Sequence, residues 1–163
     1  MNAKDILMYG NRTVLMTLTG VPEEEWYTEG VCGIWSVKEI VAHLASFEYV
    51  LTEVLNTFLG DEPGPYMKSW GESGQKFNDH QVAKRKEMSR TEVLNEYESI
   101  QAQSMMLIAK IAPEVLSRVG TIPWYGRDYS LDDLIVYAFY GHKREHCSQI
   151  NVFKDRLAEK YTA

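Results

Sequence analysis

Three of the four histidines in this 163-residue chain lie at positions that could bind a metal ion. His142 and His146 are four residues apart, so on a helix their Cβ atoms lie about 5–6 Å apart on one side. Two imidazoles at this spacing can reach one metal ion with bonds of about 2.0–2.1 Å. The alternative is a pair without a shared ligand, one ring half-buried and the other solvated. The spacing by itself leaves both interpretations open.

His43 supplies a third candidate ligand from a different segment. At about 100° per residue it lies beside Phe47, on the shoulder of an apolar helix face. His142 and His146 lie within about 80° of Ala138 on their own apolar face. Each buried imidazole needs partners for both ring nitrogens, and a shared metal ion satisfies one nitrogen of each ring. We therefore predict that His43, His142 and His146 hold one divalent metal ion.

Glu145 lies on the inward side of the same helix and is a candidate catalytic residue. It could act as a general base for a metal-bound water or accept a hydrogen bond from a ligand imidazole, and the alternative is an ion pair with Lys143 or Arg144. The string HKREH also matches the HxxEH pattern of inverzincin proteases. Only 17 residues follow His146, whereas those proteases are larger and take a third ligand farther downstream, so we do not favour a protease. His80 has no partner at metal-ligand spacing and is predicted at the surface.

Aromatic residues indicate a second candidate site. Trp70, Trp124 and Tyr125 lie in connections that contain glycine, where aromatic side chains often form the walls of a ligand pocket. The alternative is that they fill the core at one end of a bundle. Cys32 and Cys147 form no CxxC pattern, so nucleophilic cysteine chemistry is not favoured.

Four segments with helical hydrophobic periodicity position these residues, and no strand pairing is evident. Capping boxes mark two of the helix starts, at Ser36 with Glu39 and at Ser89 with Glu92. In each box the serine oxygen can accept the amide hydrogen of the glutamate, and the glutamate side chain can accept the amide hydrogen of the serine. Gly20 and Pro113 mark two of the ends. The four predicted helices run from Ala3 to Thr19, from Ser36 to Gly60, from Ser89 to Pro113 and from near Ser130 towards the C-terminus.

The connection over residues 60–88 is too long to be structureless within a compact domain. Glycine and proline interrupt its first half, whereas residues 75–87 could form a short extra helix. We predict an all-α fold, a four-helix bundle with one long crossover, in which residues 1–163 form a single domain.

The composition narrows the classes of partner. Seventeen Lys and Arg against 23 Asp and Glu give a net charge of −6, and an acidic surface repels nucleic-acid phosphates. The longest apolar run, residues 134–140, is far shorter than the roughly 20 residues of a membrane helix, and the N-terminus lacks the apolar stretch of a secretory signal. We expect a soluble cytoplasmic protein that binds a small-molecule substrate, without nucleic acid or membrane partners.

Three stretches together resemble the DinB/YfiT-like metalloenzymes, a superfamily of four-helix proteins. They are WSVKEIVAHL at residues 35–44, MSRTEVL at residues 88–94, and YG followed by HxxxH and QI at residues 140–150. The likeness spans nearly the whole chain in the right order. It implies a bundle with up-down-down-up topology and a nickel, zinc or iron ion held by His43, His142 and His146.

The same resemblance suggests a class of reaction. Relatives include S-transferases and isomerases that depend on mycothiol, bacillithiol or glutathione, as well as hydrolases, and several form homodimers. It therefore implies a metal-dependent S-transferase, with a low-molecular-weight thiol as candidate cofactor and a homodimer as candidate assembly. Two alternatives stay open. One is a hydrolase in which Glu145 activates metal-bound water, and the other is a non-catalytic small-ligand-binding or stress protein with a structural histidine cluster.

Overall fold

The computed structural model describes residues 2–162, and their regular structure is helical, with one isolated β-bridge between Cys32 and Trp35. The predicted all-α fold is confirmed. Among the described residues, no helix has both the length and the apolarity required to cross a membrane. The helices are α1 (Ala3–Thr19), a 3₁₀ turn (Glu23–Tyr27), α2 (Val37–Thr57), α3 (Pro65–Ser73), α4 (Gln75–Lys84), α5 (Arg90–Ile108), α6 (Pro113–Leu116), α7 (Leu131–Leu134), a π-helical segment (Ile135–Tyr140) and α8 (Gly141–Thr162).

The long helices α1, α2, α5 and α8 form the bundle. The α2 helix packs most extensively against α5, and α1 packs against α8 and the π-helical segment. Side chains on several sides of α2 are buried, including Val41, Leu44 and Val50. Removing this apolar surface from water, at roughly 25 cal/mol per Å², is the main source of the bundle's stability. The central position of α2 places His43 in the interior.

Both predicted capping boxes are present. Ser36 accepts the amide hydrogen of Glu39, and the Glu39 carboxylate accepts the Ser36 amide hydrogen at 2.8 Å. Ser89 and Glu92 make the same reciprocal pair at the start of α5, with an amide-to-carboxylate distance of 2.7 Å. These contacts satisfy amide groups that the first turn of a helix leaves without partners.

The last helical region contains a π-helical segment that the sequence analysis did not predict. A third capping box, Ser130 with Asp133, starts α7, and residues 135–140 then widen into π geometry before α8 begins at Gly141. A Cβ at Gly141 would lie 3.3 Å from the Val136 carbonyl oxygen, closer than most Cβ contacts, so glycine suits this transition. Single π turns often occur beside functional sites, and this one ends two residues before His142.

Two helices occupy the long crossover. The predicted extra helix is present as α4, but the helix that precedes it, α3, was not predicted. A carboxylate from α2 holds α3 in place, because Glu53 accepts the Met67 amide hydrogen at 2.7 Å. Gly64 leaves room for this contact, since a Cβ there would overlap the Glu53 carboxylate. The crossover is thereby fixed against α2, and it carries Trp70 with it.

Candidate metal centre

The imidazoles of His43, His142 and His146 meet between α2 and α8. The Nε2 atom of His142 lies 2.8 Å from that of His43 and 2.9 Å from that of His146. One ligand atom from each residue lies within 4.8 Å of the others. Two nitrogens that bind one ion at about 2.1 Å lie at most about 4.2 Å apart, so both Nε2–Nε2 distances fit a shared ion. The three residues form a group that could hold a metal ion.

Hydrogen bonds within the protein do not complete this cluster. The Nδ1 atom of His146 lies 2.8 Å from Gln149 Oε1, so its proton faces Gln149 and its Nε2 carries a lone pair. The Nδ1 atoms of His43 and His142 are buried without a hydrogen-bond partner among the described residues. With the His146 Nε2 lone pair facing the cluster, at most one proton, on the Nε2 atom of His142 or of His43, serves three converging nitrogens. A cation would instead accept a lone pair from each of them.

The surroundings keep the three rings uncharged. Burial, with the neighbouring His146, lowers the pKa of His43 to about 3. Burial and the adjacent His43 and His146 lower the pKa of His142 to about 2. Burial also lowers the pKa of His146, although Gln149 and Glu145 oppose this shift. Neutral imidazole is the form that binds metal, so the cluster is in its ligand form at neutral pH.

Aromatic rings cover part of the cluster and a cavity opens on it. The ring centroid of His43 lies 4.9 Å from that of Trp35 and 4.8 Å from that of Phe47, and Phe47 also lies 4.2 Å from His142. These contacts fix the ring orientations. The cavity, which we call the histidine cavity, has a volume of about 400 Å³. It is lined by residues 32–35, by Gln75, Asn78 and Asp79 of α4, by Glu145 and by the three histidines.

A family model of the DinB superfamily matches residues 9–150, a span that includes all three histidines. The chain belongs to the DinB superfamily. This confirms the family resemblance of the sequence and agrees with the helical bundle. No curated protein and no solved structure matches the chain.

Two further residues of this DinB-superfamily chain border the histidine cavity. Glu145, whose side chain is exposed, is one of its lining residues. Cys32 also lines it, and burial together with the Glu145 charge raises the pKa of the Cys32 thiol. No sequence pattern indicated Cys32, because it lies in a loop whose path depends on the bridge to Trp35. Cys147 is instead buried in the core, where it contacts Thr17 of α1.

A buried ion pair lies next to the histidines on the same two helices. Lys143 of α8 pairs with Glu48 of α2, and their side chains are 3% and 1% exposed. Ser104 of α5 donates a hydrogen bond to Glu48 at 3.0 Å, and the Lys143 ammonium lies 5.7 Å from the Tyr97 ring centroid. Of the two partners considered for Glu145, Lys143 and Arg144, the structure pairs Lys143 with Glu48 instead. Lys143 and Glu48 are distant in the chain, so local sequence patterns could not reveal this contact.

The aromatic residues predicted to wall a pocket lie together, in a second cavity. Trp70, Trp124 and Tyr125 line a space of about 400 Å³, which we call the aromatic cavity. None of its lining residues also lines the histidine cavity. The two are neighbours, because the Trp70 ring centroid lies 6.1 Å from that of Phe47, which packs on His142. His80 lies exposed on α4 and is not among the residues that line either cavity.

Proposed function

We propose that this DinB-superfamily chain is a metal-dependent enzyme in which His43, His142 and His146 hold one divalent ion. The observation that carries the proposal is the convergence of three neutral Nε2 atoms that share at most one proton. Three protein ligands leave coordination positions for water or substrate, which is the composition of catalytic rather than closed structural sites. Imidazole suits nickel, zinc and iron, so all three metals are candidates.

The ion would lower the pKa of a bound water or thiol and so supply a nucleophile near neutral pH. The residues around it have separate tasks. Gln149 accepts the Nδ1 proton of His146 and so directs the Nε2 lone pair into the cluster. Trp35 and Phe47 exclude water from the faces of His43 that they cover. Glu145 stands at the cavity, where its carboxylate can take a proton from an incoming nucleophile.

The reaction that we propose is thiol transfer to a small electrophilic substrate, as in the S-transferases that the sequence resembles. The histidine cavity has room for a small thiol, since small-molecule sites commonly occupy about 300–1,000 Å³. The aromatic cavity is the candidate site for an apolar part of the electrophile, because Trp70, Trp124 and Tyr125 offer apolar surface beside Phe47. A homodimeric assembly, a cytoplasmic location and the absence of nucleic-acid partners are further predictions from the sequence.

The proposal is tested with untagged protein loaded with nickel, zinc or iron. Consumption of a chromogenic electrophile such as 1-chloro-2,4-dinitrobenzene is followed with and without a small thiol. We expect turnover that needs both metal and thiol and that disappears in His43→Ala, while His80→Ala serves as the matched control. Equal rates in the wild type and in His43→Ala would contradict the proposal.

Metal-dependent hydrolysis is a second candidate, because Glu145 lines the cavity beside the histidines. In a hydrolase, Glu145→Gln would abolish turnover of an activated ester and no thiol would be required. In a non-catalytic ligand-binding protein, metal would bind but neither assay would show turnover. The pair of assays therefore separates the three functions.

A further inference from the structure

Beyond the imidazoles, the lining of the histidine cavity carries negative charge. Asp79 of α4 and Glu145 of α8 contribute carboxylates, Gln75 and Asn78 contribute neutral amides, and no Lys or Arg lines the cavity. Lys143 of α8 is paired with Glu48. The Arg144 side chain lies outside the lining and contacts the Tyr140 hydroxyl at 3.5 Å.

These carboxylates act on the groups around them. Burial and the charge of Glu145 raise the pKa of the Cys32 thiol, so the field of Glu145 reaches the opposite lining of the cavity. Asp79 accepts a hydrogen bond from Gln75 at 3.2 Å, which keeps its carboxylate at the α4 edge of the cavity. The first residue of α4 also lines the cavity, and a helix N-terminus contributes about half a positive charge. That partial charge offsets only part of two carboxylates.

We propose that the thiol taken by this cavity is an aminothiol, with an ammonium rather than a carboxylate at its far end. The inference rests on the proposed function and names its ligand class. A divalent ion held by neutral imidazoles attracts the anionic sulfur, and the ion's own charge must be included in the balance. The far end of the molecule then meets Asp79 and Glu145, which attract an ammonium and repel a carboxylate.

The test compares three short thiols that differ mainly in their far ends. They are cysteamine with an ammonium, 2-mercaptoethanol with a hydroxyl and 3-mercaptopropionate with a carboxylate. Each is titrated into cobalt-loaded protein, and the sulfur-to-cobalt charge-transfer absorbance gives the dissociation constant. The protein carries Cys32→Ser, because Cys32 lines the cavity and the band must report the added thiol. We expect cysteamine to bind at least about tenfold more tightly than 3-mercaptopropionate, with 2-mercaptoethanol between them.

The three thiols differ in their own pKa values, so the decisive quantity is a change in the affinity ratio. In the Asp79→Asn/Glu145→Gln variant, the ratio of cysteamine to 3-mercaptopropionate affinity should fall at least about fivefold. Both side chains are exposed, so these neutral isosteres preserve the fold. The matched control is Glu114→Gln/Asp128→Asn, which removes two exposed carboxylates that do not line the cavity and should leave the ratio unchanged.

The outcomes separate this inference from the proposed function. A ratio that is unchanged in the neutralised variant, or tighter binding of 3-mercaptopropionate, would overturn the inference and leave the metal site standing. Failure of the protein to bind cobalt at all would overturn the proposed function and the inference with it.

Discussion

Two buried polar clusters join α2 to α8, and they differ in whether groups of the protein balance their charges and lone pairs. Glu48 and Lys143 have opposite charges, and Ser104 adds a hydrogen bond to the carboxylate. The histidine cluster has three neutral rings with at most one proton between their Nε2 atoms. The opposite charges of the first cluster balance within the protein, whereas the lone pairs of the second could be satisfied by a divalent cation.

Adjacent residues of α8 therefore take part in clusters of different kinds. His142 and Lys143 are consecutive in α8, so their side chains diverge by about 100° and enter different clusters. A buried ion pair with balanced charges holds the two helices at a given separation and register, whereas the converging lone pairs of neutral rings could hold a cation. Perturbing the ion pair should therefore change stability, and perturbing the histidine cluster should change metal affinity.

Removing one member of the buried ion pair between Glu48 and Lys143 should have the largest effect on stability. Lys143→Met leaves the Glu48 carboxylate buried without its cation, which should lower the free energy of unfolding by about 3–5 kcal/mol. Urea denaturation of the metal-free protein measures the change. The control is Glu23→Gln in the exposed pair with Arg90, at 3.1 Å, where we expect a loss below about 1 kcal/mol. Similar losses in both variants would mean that the buried pair has no special role in joining the helices.

Removing one of the three clustered histidines should lower metal affinity instead. His43→Ala, His142→Ala and His146→Ala should each weaken binding of a divalent ion at least about hundredfold, since two imidazoles retain little of what three hold. Isothermal titration calorimetry measures the affinity. His80→Ala, which changes an exposed histidine, should bind like the wild type. Undiminished affinity in any of the three variants would remove that residue from the site.

Changing the residue that orients a ligand should have a smaller effect. Gln149→Ala removes the acceptor of the His146 Nδ1 proton, and metal affinity should fall about tenfold. The matched control is Gln103→Ala on α5, an exposed glutamine outside the histidine cavity. If both substitutions leave the affinity unchanged, the contact with Gln149 does not orient His146.

Mild acidification should have the smallest effect. The pKa values of the three histidines are lowered, so protons do not compete with metal at pH 7.5 or at pH 6.5. Metal affinity should change less than about threefold over this interval, whereas unperturbed histidines begin to protonate there. The free energy of unfolding of the metal-free protein should fall below about pH 6.5, because the unfolded chain then binds protons that the folded chain does not. A tenfold loss of affinity between pH 7.5 and 6.5 would contradict the low pKa values.

Local patterns in the sequence predicted much of the fold. The bounds of α1 and the capping boxes at Ser36 and Ser89 depend on neighbouring residues alone. The helix α3 was missed because the carboxylate that caps it comes from Glu53 on another helix. The π-helical segment was missed because its geometry departs from the regular period on which helical wheels rest.

The candidate site could be predicted only in part, for a similar reason. Helical periodicity brought the three histidines to inward faces, and the structure places their Nε2 atoms together. Lys143 contacts Glu48, and Cys32 lies beside the histidines at the cavity. These residues are distant in the chain, so local sequence patterns could not predict that they lie together. The position of Asp79, the crossover carboxylate that lines the cavity together with Glu145, depends on tertiary contacts as well.

The metal content of the untagged protein distinguishes a metal site at His43, His142 and His146 from a purely structural histidine cluster. The protein is dialysed against a mixture of nickel, zinc and iron salts, freed of unbound metal by gel filtration, and analysed by mass spectrometry for metal per chain. We expect about one divalent ion per chain in the wild type and in His80→Ala, and close to none in the His43→Ala/His142→Ala double variant. No bound metal in the wild type, or equal metal in the wild type and the double variant, would contradict it.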